Sequence, residues 1–205
     1  MSEHDDPPIA RRRLLGLLGT GAAIGLSGCI GDGIGGLGSD DTGGETDGAD
    51  TSQSYAPNVD QHPGDEPIEF DESHHCAVCN MKPIDYPQWR SQLAHENGEG
   101  AVFDTPGCLF AYTVATSSGS EIVGAWTTEF ETDTLLDASE AHFVLITDAD
   151  AADDPMKINP RVFGNYDDAV AYLDEWEAEA LTEDDIIGLD DVDRETASIY
   201  RENRI

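Results

Sequence analysis

Two cysteines three positions apart, Cys76 and Cys79 in His74-His75-Cys76-Ala77-Val78-Cys79-Asn80-Met81, are the residues best equipped for chemistry in this chain. A Cys-x-x-Cys turn presents both sulfurs on one side of a tight knuckle. The residue after the second cysteine often takes a left-handed backbone, which Asn80 tolerates better than most non-glycine residues. Met81 adds a thioether two residues from the Cys79 thiol, a pairing that favours Cu(I) over Mg, Ca or Mn. Residue chemistry alone leaves three uses open: soft-metal binding, a structural zinc site drawing on Cys76, Cys79, His75 and Cys108, and thiol-disulfide redox chemistry. No second Cys-x-x-Cys completes a four-sulfur zinc cage, and Pro83 follows where a thioredoxin-like motif needs a helix.

After the initiator only Met81 and Met156 remain, and each is followed at once by one of the chain's two lysines, Lys82 and Lys157. The two Met-Lys steps are expected to converge, with an ammonium lowering the Cys79 pKa and steering docking onto an acidic partner. The alternative is a pair of solvated loop lysines. Met156, in the polar loop Asp153-Asp154-Pro155-Met156-Lys157, is a candidate ligand or a packing residue over the hairpin. Cys108, early in a helix, is an additional candidate ligand or a small core residue. His95 and His142 are weaker candidates, and His62 falls in a linker. No hydrolytic triad, phosphate loop or catalytic carboxylate pair can be picked out, and a metal-binding protein that is not an enzyme is the expected reading, with thiol redox chemistry open beside it. Acid runs such as Glu183-Asp184-Asp185 read as solvated surface.

The elements that must position these residues have local signatures. Gln88 to His95, the turn Asn97-Gly98 and Gly100 to Phe103 predict a β-hairpin. Asp104-Thr105-Pro106 then caps a helix running to about Ser117. Glu121 to Phe130 and Ala141 to Thr147 read as strands, Asn165 caps a helix from Tyr166 to about Glu177, and a last helix begins near Asp191. Phe103 precedes Ala111-Tyr112 by the same eight residues that separate Phe163 from Ala171-Tyr172. The expected fold is therefore α+β, two related β-hairpin-plus-helix units in one domain, unless common core residues coincide by chance.

The chain opens with Arg11-Arg12-Arg13, Leu14-Leu15 and an apolar run to Gly28, too short to span a bilayer as a helix. Residues 1–28 resemble a twin-arginine lipoprotein signal, with Cys29 of Leu26-Ser27-Gly28-Cys29 as the lipidated residue. An uncleaved N-terminal anchor is the alternative. Residues 29–66, rich in Gly, Asp, Ser and Thr, are expected to form a flexible linker averaging about 30 to 35 Å end to end. The expected domain covers 67–190, followed by a helical tail over 191–205. The protein is thus expected on the outer face of the cytoplasmic membrane, tethered at Cys29. Asp and Glu total 43 against 10 Lys and Arg, a net charge of −33. Nucleic-acid binding is excluded on that balance, and the composition reads as salt-adapted. Three Trp, six Tyr and six Phe argue against a disordered acidic chain.

Taken together, Cys76-Ala77-Val78-Cys79-Asn80-Met81, Tyr86-Pro87-Gln88-Trp89-Arg90-Ser91-Gln92-Leu93, Phe103-Asp104-Thr105-Pro106 and Pro155-Met156 resemble the NosL family from about Phe70 to Ala180. That family comprises lipoprotein copper chaperones that assist maturation of nitrous-oxide reductase. The resemblance implies two ββαβ-type units and a Cu(I) site with Cys79, Met81 and Met156 as ligands, joined less firmly by Cys76. It implies a copper-accepting enzyme as partner, with an associated membrane transporter complex beside it. Two positions depart from the family pattern, because Asn80 and Lys157 stand where glycine is usual. A thiol-disulfide oxidoreductase using Cys76 and Cys79, a lyase-like relative using Cys79 and Cys108, and a zinc-binding adaptor remain the alternatives.

Overall fold

The hairpin expected around Asn97-Gly98 forms as β1 (Ser91–His95) and β2 (Gly100–Phe103), antiparallel with Ser91 opposite Phe103, and Gly98 takes φ 82° at the turn. The structure is a computed structural model describing residues 53–205. The leader, Cys29 and the linker through residue 52 lie outside the described residues. Pro106 opens α1 (Pro106–Ala115), where a missing N–H costs nothing. β3 (Ile122–Thr128) returns along the other side of β1, and β4 (Leu135–Asp137) completes a sheet of order β2-β1-β3-β4.

The second half repeats this path. β5 (His142–Val144), the short α2 (Ala149–Ala152), β6 (Arg161–Phe163), α3 (Tyr166–Glu175) and β7 (Ile186–Ile187) build a sheet of order β6-β5-β7. In both units the first strand is flanked by its hairpin partner and by the strand after the helix. The entry aromatic packs on the helix tyrosine in each, Phe103 on Tyr112 at 5.2 Å and Phe163 on Tyr172 at 5.4 Å between ring centroids. The expected α+β architecture of two ββαβ-like units is what forms. Phe110 of α1 meets Phe143 of β5 edge-on at 5.0 Å, joining the halves. Among the described residues no helix is long and apolar enough to cross a membrane.

Packed residues extend past both ends of the expected 67–190 domain. Residues 53–66, expected as linker, lie as a strap against the first sheet. The N–H groups of Asn58 and Val59 donate to Gly100 O, and that of His62 donates to Gly98 O. Tyr55 and His62 are buried. The strap explains why all five residues of β1 are buried although strand side chains alternate between faces. Leu93 faces the core, whereas Gln92 faces the strap and clasps Ile68 through its N–H (2.8 Å) and its carbonyl (3.0 Å). Gly100 is required at the crossing, since a Cβ there would lie 2.8 Å from both the His62 ring and Leu93 O. At the other end, α4 (Arg194–Arg201) is no appended tail. Asp193 caps it, and Ala197, Tyr200 and Arg201 are buried, with Tyr200 packed on Phe110.

Candidate metal centre

The knuckle is built by local hydrogen bonds. The N–H groups of Val78 and Cys79 point at Cys76 Sγ at 3.4 Å, and Asn80 N–H donates to Cys76 O at 2.9 Å. Asn80 takes the expected left-handed conformation at φ 66°. Met81 closes the turn by accepting the Cys76 N–H at 2.7 Å, and Ala77 N–H pins it to Val102 O of β2 at 3.0 Å. This tether carries the sulfurs to the junction of β2 and α1, where Asp104 and Cys108 wait. The donor atoms of Cys76, Cys79, Asp104 and Cys108 all lie within 4.8 Å of one another. Cys76 and Cys108 are 3 % and 0 % exposed, while Cys79 is only half-buried and is the sulfur nearest solvent.

The charges of the cluster are uneven. Burial, then contact with Cys108, pushes the Cys76 thiol well up, and hydrogen bonding to Cys108 pushes Cys79 up as well. Burial also works against ionising Cys108, but the Cys76 and Cys79 S–H groups and the Arg201 guanidinium outweigh it and hold that thiol well below its ordinary range. Cys79 donates to Asp104 Oδ1 at 3.1 Å. Burial foremost, with the nearby Cys108 charge, raises Asp104 to about 6. Its Oδ2 is buried without a hydrogen-bond partner. Such an orphaned atom costs about 1 to 3 kcal/mol unless a proton or cation completes it. Three sulfurs and one carboxylate oxygen converging in this way form a donor set for a soft or borderline metal ion.

Behind the cluster stands Arg201, 3 % exposed, with Nε 3.1 Å from Cys108 Sγ. It also donates to Thr105 Oγ1, Asn159 Oδ1, Ile158 O and Tyr200 O. Gly107 admits the guanidinium against α1, because a Cβ there would lie 2.9 Å from three of its atoms. The expected effect of Lys82 on Cys79 is therefore not what is observed. The depressed thiol is Cys108, and the cation responsible is Arg201.

Met156 (φ 58°) and Lys157 (φ 83°) form a turn closed by the Lys157 N–H to Asp154 O at 3.1 Å. The buried ion pair Arg161–Asp154, 2.6 Å, braces this turn, and Arg161 lies over the rings of Phe130 and Trp89. Asn159 links the turn to the cluster through its 2.8 Å bond from Arg201. Met156 and Lys157 line a cavity of about 350 Å³ together with Tyr200, Arg201 and Arg204, and Arg204 in turn donates to Val78 O of the knuckle. His95 is not among the clustered donors, since its ring nitrogens face Ser120 O and Tyr112 OH, both at 3.0 Å. His75 Nδ1 faces Ser73 O instead. Sequence reasoning took Asp104 for a helix cap and had no signal for Arg201, whose sulfur partner is 93 residues away.

A family model described as NosL matches residues 67–188. Among solved structures, the crystal structure of the copper chaperone NosL from Shewanella denitrificans aligns with a TM-score of 0.50 at 15 % identity, covering 63 % of this chain and 97 % of that one. No curated protein matches the chain. The family match takes in the knuckle, the β2–α1 junction and the Met156 turn over more than half the chain, and the chain belongs to the NosL family.

Proposed function

We propose that this protein is a membrane-anchored, extracytoplasmic Cu(I) chaperone that passes copper to a copper enzyme, nitrous-oxide reductase being the client that the family indicates. The observation that carries this reading is the convergence of three cysteine sulfurs and an Asp104 carboxylate oxygen within 4.8 Å, on a carboxylate whose Oδ2 has no hydrogen-bond partner. Copper is the cargo, and the work of the chain is to hold it tightly and yet release it. Cys76 and Cys108 supply a water-excluded floor. Cys79, half-exposed, is the sulfur at which an acceptor thiolate or imidazole enters and ligands exchange stepwise. Asp104 sits against the Cys79 S–H, which must lose its proton when metal arrives. Met81, two residues after Cys79, and Met156, in the turn that Asn159 links to Arg201, would supply thioethers, neutral donors that bind Cu(I) without adding charge. The Cys29 tether would keep the carrier at the membrane face near a transporter complex.

The test is metal content and Cu(I) affinity of the full chain, purified under reducing conditions in molar salt, beside Cys79→Ser and Met156→Ala. One Cu(I) per chain is expected, with losses in affinity exceeding about tenfold in each variant. Copper should also appear in apo nitrous-oxide reductase on mixing. Tight zinc with indifference to Met156, or turnover of a disulfide substrate, would replace the chaperone by the structural-zinc or oxidoreductase reading respectively.

A further inference from the structure

A donor set of three sulfurs and a carboxylate suits Zn(II) as well as Cu(I), since a carboxylate is the hardest of the four donors and thiolates serve both ions. Ligand identity therefore leaves the choice between a monovalent and a divalent cargo open. Resting on the metal-carrier reading above, we infer that Arg201 is the residue that sets this choice, by placing a fixed positive charge behind the Cys108 sulfur.

The geometry is specific. The guanidinium is 3 % exposed, touches Cys108 Sγ at 3.1 Å, and has no carboxylate within 4.0 Å among the described residues. Its remaining acceptors, Thr105 Oγ1, Asn159 Oδ1, Ile158 O and Tyr200 O, are all neutral. A buried guanidinium without a carboxylate is expensive, and an arginine does not escape the cost by losing its proton. Among its hydrogen-bond partners in the described residues, the Cys108 sulfur is the one that can carry negative charge. A metal on Cys108 would lie about 5 Å from this cation, one metal–sulfur bond of about 2.3 Å beyond the sulfur. Repulsion between the guanidinium and the ion scales with the charge of the ion. Every contribution from Arg201 that disfavours Cu(I) therefore disfavours Zn(II) twice over. At an effective dielectric constant near 20, one unit charge at that distance corresponds to about a hundredfold in relative affinity, with about tenfold as a lower bound once relaxation is allowed.

Gly107 and Asn159 fit the same account. The missing Cβ at 107 lets the cation approach, and the Asn159 amide oxygen holds it in line with the turn that carries Met156. Arg201 is thus a specificity-determining residue that acts through space, without itself ligating metal.

The experiment measures Cu(I) and Zn(II) dissociation constants side by side, anaerobically and without chloride, for the full chain and for Arg201→Met, Arg201→Lys and Gly107→Ala. Arg201→Met should shift the Zn(II)-to-Cu(I) affinity ratio toward zinc by about ten- to a hundredfold. Arg201→Lys, which keeps the charge, should hold the ratio within about threefold of wild type. Gly107→Ala, whose methyl displaces the guanidinium without removing it, should shift the ratio the same way by a smaller factor. It also serves if Arg201→Met fails to fold. A ratio that stays put in Arg201→Met and Gly107→Ala, or equal losses for both metals, would mean that Arg201 only supports the fold and would overturn the inference. Failure of wild type to bind either metal would instead overturn the metal-carrier reading on which it rests.

Discussion

Asp104 is a costly choice for a buried position, and its cost changes with pH in a way that can be measured. Burial, with the Cys108 charge beside it, raises its carboxyl from 3.8 to about 6 in the folded chain. A group whose folded pKa exceeds its unfolded one favours folding most below the unfolded value, and that contribution is lost as pH rises through the folded value. Metal-free protein should therefore carry the full penalty above about pH 6, on the order of 2 to 3 kcal/mol for a shift of this size. Asp104→Asn, which retains an acceptor oxygen for Cys79, should be more stable than the metal-free wild type at pH 7.5. The gap should close by pH 4, as read by chemical denaturation in molar salt, and the variant should bind copper more weakly. A variant less stable than wild type at pH 7.5 would show that the carboxylate is needed for folding and not for cargo. The contrast among residues follows from reach along the chain. Cys76, Cys79 and Asn80 were legible because a knuckle is a local object whose spacing encodes its shape. Asp104 sits 25 residues from the Cys79 thiol that donates to it, and Arg201 lies 93 from Cys108. No local pattern announces such partners.

Elements with their own start and stop signals were legible for the same reason. Asn97-Gly98 turned the hairpin, Pro106 opened α1 and the Asn165 side chain caps α3 by accepting the Asp167 N–H. The recurrence of Phe103 with Tyr112 and Phe163 with Tyr172 even disclosed the internal repeat, because each pair packs in one place in its unit. The strap over residues 53–66 was not legible. Its polar, proline- and glycine-containing sequence resembles linker, and what orders it is a set of acceptors on β2 and the Gln92 side chain. The strap also reaches the centre's surroundings. Asn58 Nδ2 donates to His75 O, and the Tyr55 hydroxyl meets Arg204 O. His62 is its buried anchor, stacked on Trp126 with Nε2 3.1 Å from Gln92 Oε1 and Nδ1 accepting the Gly64 N–H. Burial lowers its pKa below 6.5. The stability it contributes is present above the unfolded value and lost as pH falls through the lower folded one. Amide exchange at Val59 and His62, corrected for intrinsic rates, should therefore accelerate as pH falls below the ordinary histidine value of 6.5, while β1 and β3 stay protected. His62→Asn should exchange faster at every pH and lose the dependence. Protection at Val59 that is flat from pH 7.5 to 5 would rule out His62 as the anchor.

At the scale of the whole molecule, two electrostatic regimes coexist. A net charge of −33 makes the surface repel itself, with Asp167, Asp168, Asp174 and Glu175 exposed on α3 and Glu183 and Asp184 exposed in the turn that follows. Screening relieves repulsion between exposed charges, and the Debye length falls from about 10 Å at 0.1 M to about 3 Å at 1 M salt. The cluster at Cys76, Cys79, Asp104 and Cys108, with Arg201 behind it, is mostly sealed from solvent, and buried charges are screened far less. Fold and cargo site should therefore respond differently to the same titration. Between 0.2 and 3 M potassium nitrate, an anion that does not compete for Cu(I) as chloride does, the unfolding midpoint should climb by on the order of 10 °C. Cu(I) affinity over the part of that range where the chain is folded should change by less than about tenfold. Sucrose at equal osmolality favours compact states without screening and should reproduce little of the rise in midpoint. Equal stabilisation by sucrose would remove surface repulsion as the cause. A copper affinity that rises or falls in step with the midpoint would mean that the metal site is assembled only when the acidic shell is screened, and the division between surface and centre would have to be abandoned.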